Sequence, residues 1–222
     1  MNRVDFSVAS QAGSTLATNK LIKNTYMLLS ATLVFSAIMA AVSIAVQPSQ
    51  TIAMVCLFGG MLIGMFVLPK TANSSAGLGV IFLITGLLGF ALGPMLTQYL
   101  ALPKGPQIVG TAFGGTGIIF LALSGYALTS KRDFSFMGGF LFAGMMVVML
   151  ALVANWFLEI PALGLALSAG IILLMSGLIL FDTSRMVNGG ETNYIHATFS
   201  LYLNIFNIFI HLLHILGVMS DD

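Results

Sequence analysis

Asp182 is the residue best placed to do chemistry. It stands in "LILFDTSRMVNGG" (residues 178–190), where a long apolar run meets a carboxyl about two turns before Gly189 and Gly190. An acid inside an apolar span is costly to bury and marks a functional site by default, with a partner to be named. Arg185 is three residues on and shares the helix face, so an intrahelical pair is available. Asn204 offers an amide donor from another segment. A second set lies downstream. Asn193, His196, Ser200, Asn204, Asn207, His211 and His214 recur at intervals of three and four residues, which places them on one stripe of one helix. Such a stripe suits an interhelical hydrogen-bond seam, at about 0.6 kcal/mol per contact, ahead of the sharper alternative of a proton or ion path. His211 and His214 are spaced to share a metal, but two imidazoles without a carboxylate are a weak signal for one. No metal and no other cofactor is expected.

The elements that position these residues follow from composition. Of the 222 residues, 58% are hydrophobic and 7% charged, against roughly 25% charged in a soluble domain. With 24 Gly, 14 Met and a mean hydropathy of +1.03, the chain reads as an all-α integral membrane protein. The formal net charge of +1 points to no nucleic acid and no acidic substrate. The single cysteine, Cys56, excludes an internal disulfide and a cysteine-cluster metal site. No HExxH, GxSxG or GxxxxGK(S/T) pattern occurs, and all three histidines fall on one predicted helix, so no enzymatic activity is expected.

A span needs about 20 apolar residues to cross roughly 30 Å of hydrocarbon. Charges and helix breakers divide the chain into seven, near residues 24–46, 51–68, 77–100, 107–130, 135–158, 161–188 and 193–218. Residues 1–23 have no apolar core of a signal peptide and read as a flexible cytoplasmic tail. Residues 24–218 form the membrane domain, and 219–222 a short external tail. With the N-terminus in the cytoplasm, Arg3, Lys20, Lys23, Lys70, Lys131, Arg132 and Arg185 lie inside, and Lys104 outside. This bias sets the orientation as N-in and C-out.

Small residues at helical spacing mark helix contacts in lipid. Gly60 and Gly64, Gly79, Gly86 and Gly93, Gly110 and Gly114, and Gly139 with Ala143 are the candidates, and Pro94 is expected to kink its span. The polar stripe calls for the last span to be surrounded by the others or to line a polar cavity. Depth then ranks the partners of Asp182. It lies about 32 Å along its helix from Pro161, near the hydrocarbon edge, whereas Asn204 lies about 16 Å past Asn193. Counting therefore favours Arg185 or water over Asn204, unless the sixth helix tilts.

Four stretches carry a family likeness: "GFALGPML" (89–96), "AFGGTGIIF" (112–120), "LTSKRDFSFMGG" (128–139) and "GGETNYIHATFSLYLNIFNIF" (189–209). Through them nearly the whole chain resembles the Bax-inhibitor (TMBIM) family of seven-span membrane proteins. The resemblance implies a bundle with the seventh helix at its centre. It implies a bacterial inner-membrane protein that binds the FtsH ATP-dependent protease, restrains its degradation of membrane proteins, and is itself a slow substrate engaged by the N-terminal tail. Other family members are described as pH-sensitive calcium leaks gated by paired carboxylates. Asp182 resembles the first of that pair, and the second position falls on Asn204, which is not an acid. With one charge missing from the pair, a Ca²⁺ or H⁺ partner is the weaker implication. The polar candidates for any ion path are Asp182, Arg185, Asn204, Asn207, His211 and His214.

Overall fold

The computed structural model describes residues 3–130 and 132–220. Lys131, counted in the charge bias, and Asp221 and Asp222 of the expected external tail lie outside the described residues. The described chain is helical: α1 (Arg3–Val46), α2 (Gln50–Phe66), α3 (Leu68–Thr71), α4 (Ala76–Ala91), α5 (Gly93–Leu100), α6 (Gly105–Ser130), a 3-10 turn (Ser135–Met137), α7 (Gly138–Leu158), α8 (Pro161–Val187) and α9 (Tyr194–Ser220). Six stretches are long and apolar enough to cross a membrane: Leu16–Val46, Ala76–Leu100, Gly105–Ser130, Ser135–Leu158, Pro161–Val187 and Tyr194–Ser220. The remaining expected span corresponds to α2, an apolar helix of 17 residues, about 26 Å long.

The stretch expected as a tail is helical where it is described. From Arg3 it is continuous with the first span as one helix, which crosses the boundary placed at residue 23. No proline interrupts residues 3–46, so the helix runs on although Ser, Thr, Val, Asn, Asp and Gly13 give residues 3–20 only modest propensity. A 44-residue helix is roughly 66 Å long, about twice the hydrocarbon thickness.

Boundaries follow local chemistry. Ser49 accepts from the Ile52 amide at 3.4 Å to open α2. Pro161 occupies the first turn of α8, where its missing amide costs nothing. Pro94 has the predicted effect: α4 ends at Ala91 and α5 restarts at Gly93. At the end of α8, Gly189 takes φ +79° and the Gly190 amide returns to the Arg185 carbonyl at 2.8 Å.

The glycine faces sort into two groups. At Gly86, Gly89 and Gly93 an added Cβ would collide with Phe35, Ser36 and Ser43 of α1, so these positions let α1 close onto α4 and α5. Gly60 packs on Leu88 and Gly64 on Phe199 in the same way. Gly79, Gly110, Gly114 and Gly139, expected as contact faces, have no neighbour within contact range. Spacing alone does not say which side of a helix meets protein.

Helix α9 packs against α1, α4, α6 and α8, and Ile195, Leu201, Tyr202, Ile208 and Leu213 along it are fully buried. Helix α7 is the opposite case. Phe140, Phe142, Val147, Leu150, Trp156 and Phe157 are all exposed, and within the bundle α7 packs on α8. Apolar surface on this scale is stable only in lipid.

Candidate functional site

The polar residues converge on the seam between α8 and α9, which run antiparallel. Asp182 is the centre of one cluster. Ser200 donates its hydroxyl to Asp182 Oδ2 at 2.5 Å, and Asn204 Nδ2 donates to the same oxygen at 2.9 Å. Asn204 is buried to 4% exposure. Both donors come from one face of α9, a turn apart, so the carboxyl is gripped by two hydrogen bonds to one oxygen.

The expected pairing with Arg185 is corrected here. The Arg185 guanidinium turns away from Asp182. It donates to the Gly190 carbonyl at 2.7 Å, approaches Glu191 at 3.9 Å and lies 5.6 Å from the centre of the Phe181 ring. Counting along helix axes misjudged the reach because Cα–Cβ bonds tilt toward a helix's own N-terminus. Asp182 therefore leans deeper into the bundle. Asn204, on a helix of opposite direction, leans back toward it, and the two meet between their backbone levels.

A second cluster sits about four turns away along α8 and about three along α9. Ser168 Oγ lies 2.9 Å from His214 Nδ1 and 3.1 Å from His211 Nδ1. Ser168 is 2% exposed, and both histidines are partly buried. A hydroxyl carries one proton and two lone pairs, so Ser168 donates to at most one imidazole, and at least one of the two rings carries its proton on Nδ1. Ser168 was not among the sequence candidates. Its signal was present: Ser168 and Ser176 are the polar residues of the apolar run before Asp182, and Ser168, about four turns before Asp182, is the one on its face of α8.

Between the clusters the stripe is not continuous. The Asn207 amide donates to the Leu203 carbonyl of its own helix at 2.8 Å. His196 uses only its backbone amide, as a donor to Asn193 Oδ1 at 3.2 Å. Asn193 is a structural knot: its Oδ1 also accepts from the Ile195 amide, while its Nδ2 reaches the Ala72 carbonyl at 3.1 Å and Asn73 Oδ1 at 2.8 Å. The α8–α9 loop is thereby tied to the loop before α4. Glu191 supports it by accepting from the Thr192 and Asn193 amides, both at 2.8 Å.

The loop between α6 and α7 is fastened to the same end of α8. Ser184 accepts from the Phe134 amide at 2.9 Å and donates to the Arg132 carbonyl at 3.0 Å, and Asn188 Nδ2 bonds Ser184 Oγ at 3.1 Å. In this loop hydrogen bonds from Ser135 hold the Asp133 carboxyl below the usual carboxylate range. Sequence reasoning missed this fastening, because Ser184 and Asn188 read only as residues of a helix end. Chemically, the seam provides anchored hydrogen bonds and one buried acid. No group of three or more His, Cys, Asp or Glu side chains gathers among the described residues.

Comparison with known proteins places this architecture. The sequence pattern of the family described as "Inhibitor of apoptosis-promoting Bax1" matches residues 18–221. A membrane protein of Vibrio cholerae is 51% identical over the whole of both chains. A protein of Escherichia coli K12 named "Modulator of FtsH protease YccA" is 49% identical over 94% of each chain. A Pseudomonas aeruginosa protein is 40% identical over the full length of both.

Proposed function

We propose, on the premise that this chain belongs to the Bax-inhibitor family, that it is a non-enzymatic inner-membrane modulator, and a slow substrate, of an FtsH-type ATP-dependent protease. The observation that carries the reading is the 49% identity, across 94% of both chains, with the Escherichia coli protein named for that role. The same likeness supports an inner-membrane location, since a YccA protein of a second Escherichia coli strain is named "Inner membrane protein YccA".

In this reading α2 spans the bilayer with the six longer helices, α9 is the innermost of seven, and the N-terminus is cytoplasmic. The positions of Lys and Arg favour that orientation. The continuity of α1 beyond its apolar part gives the protease a handle, because a polar helix standing outside the membrane has no bundle to stabilise it and unravels at low cost. The protein acts by occupying the protease: its tight seams resist extraction, so engagement at the N-terminus stalls. Asp182 serves this role structurally, tying α8 to α9. The alternative, a calcium or proton leak, loses support from the geometry. Asn204 offers no second carboxylate, and its amide is already spent on Asp182.

Detergent-solubilised native protein is expected to retain FtsH on copurification, and deletion of residues 1–20 is expected to slow the protein's own degradation. Failure to copurify overturns the partnership. Degradation at an unchanged rate after the deletion overturns the role of the N-terminal segment.

A further inference from the structure

We propose that His211 and His214 form a binding site for a late first-row divalent metal ion, with copper(II) preferred, held by their two Nδ1 atoms and completed by water. Sequence spacing alone makes this a weak signal. The structure adds convergence: both Nδ1 atoms are aimed at one point, the Ser168 hydroxyl, at 2.9 and 3.1 Å. Side chains three residues apart on one helix face can ligate a single ion, as the Glu-x-x-His pairs of helical metal proteins do.

The hydroxyl occupies the place a metal would take. A metal nitrogen bond is about 2.0–2.1 Å, so the ion enters when the Ser168 side chain rotates aside and each ring closes by roughly 1 Å. The imidazole that donates its Nδ1 proton to Ser168 moves that proton to Nε2, after which both rings present a lone pair. Ser168 has alternative rotamers to adopt, and its hydroxyl can then donate to a metal-bound water.

The donor set selects the ion. Ca²⁺ and Mg²⁺ require several oxygen ligands, which two neutral imidazoles do not supply. Imidazole suits copper, zinc and nickel, and the usual order of divalent affinities puts copper first. Depth permits the charge. His214 lies about 9 Å and His211 about 13 Å from the α9 terminus at Ser220, and both rings are partly exposed. The position toward the end of the span, rather than exposure, is what lowers the cost of a cation there. Because no carboxylate joins the pair among the described residues, affinity is modest and binding is reversible. The inference does not depend on the protease reading.

The test uses the full-length, untagged protein in detergent micelles, titrated with Cu²⁺ against a competing chelator and followed by electron paramagnetic resonance. One Cu²⁺ per chain with nitrogen hyperfine structure from two imidazoles is expected. His211→Gln and His214→Gln should each weaken binding at least tenfold, since either removes half of the strong donors. Glutamine keeps a polar partner for Ser168, and Ser168→Ala, which leaves both imidazoles, should retain binding within tenfold. His196→Gln should change nothing. Native-strength binding in either His211→Gln or His214→Gln overturns the proposal, as does loss of binding in His196→Gln.

Discussion

The grip of α9 on Asp182 makes a quantitative prediction. Removing Asn204's amide by Asn204→Ala leaves Asp182 Oδ2 with Ser200 alone. The bond is 2.9 Å long, buried at the Asn204 end, and joins two helices within the membrane domain. Interhelical polar contacts measured within membranes average about 0.6 kcal/mol and reach about 1.7. A buried bond that leaves a polar group unpaired when broken belongs at the upper end, so the Asp182–Asn204 coupling should be about 1–1.7 kcal/mol. Arg185 has no direct bond to Asp182 and its side chain is 38% exposed. Discounted for solvent screening, the Asp182–Arg185 coupling should be below about 0.5 kcal/mol. Two double-mutant cycles decide the matter, one from Asp182→Ala and Asn204→Ala, the other from Asp182→Ala and Arg185→Ala. Each is read by reversible unfolding in mixed micelles of increasing denaturing detergent. An Arg185 coupling larger than the Asn204 coupling would falsify the geometric argument and restore the intrahelical pair.

Two further outcomes follow from the packing. Gly89→Ala drives a methyl into Ser36 of α1 and should cost about 1–3 kcal/mol in the same unfolding assay, while Gly110→Ala, with nothing within contact range, should be neutral or slightly stabilising through helix propensity; equal effects at the two positions would mean that α1 does not close on α4. Ser184→Ala removes the bonds to the Phe134 amide and the Arg132 carbonyl and should destabilise by about 1–2 kcal/mol, with faster amide exchange at Phe134; unchanged exchange there would show that the α6–α7 loop is held by other contacts.

Much of this was legible in the chain itself. Hydropathy and breakers located every membrane-length helix, because a span must satisfy its own backbone and advertises that need as a run of apolar residues. The stripe on α9 was legible for the same local reason: helical periodicity is a property of one segment, and seven polar side chains on one face demand burial against protein. Pro94 announced the break between α4 and α5. Two readings needed more. The N-terminal stretch reads as a tail because it is polar, yet the helix of the first span continues through it from Arg3, with no proline to stop it. The glycine pairs at 110 and 114 and at 60 and 64 are alike in sequence, but only the second meets a neighbour.

The sequence by itself determined what must be buried and roughly at what depth. Tertiary structure decided what meets what. Asp182 could pair along its own helix or across to another, and both options are consistent with spacing. The choice fell to Ser200 and Asn204 because antiparallel packing leans side chains of α8 and α9 toward each other, while the loop after α8 drew Arg185 to Gly190 and Glu191. Ser168 gained a role only when α9 laid His211 and His214 against it. One-dimensional periodicity fixes which face of a helix is polar, whereas the partner of that face depends on register and direction between helices, which are set by the packing of the whole bundle.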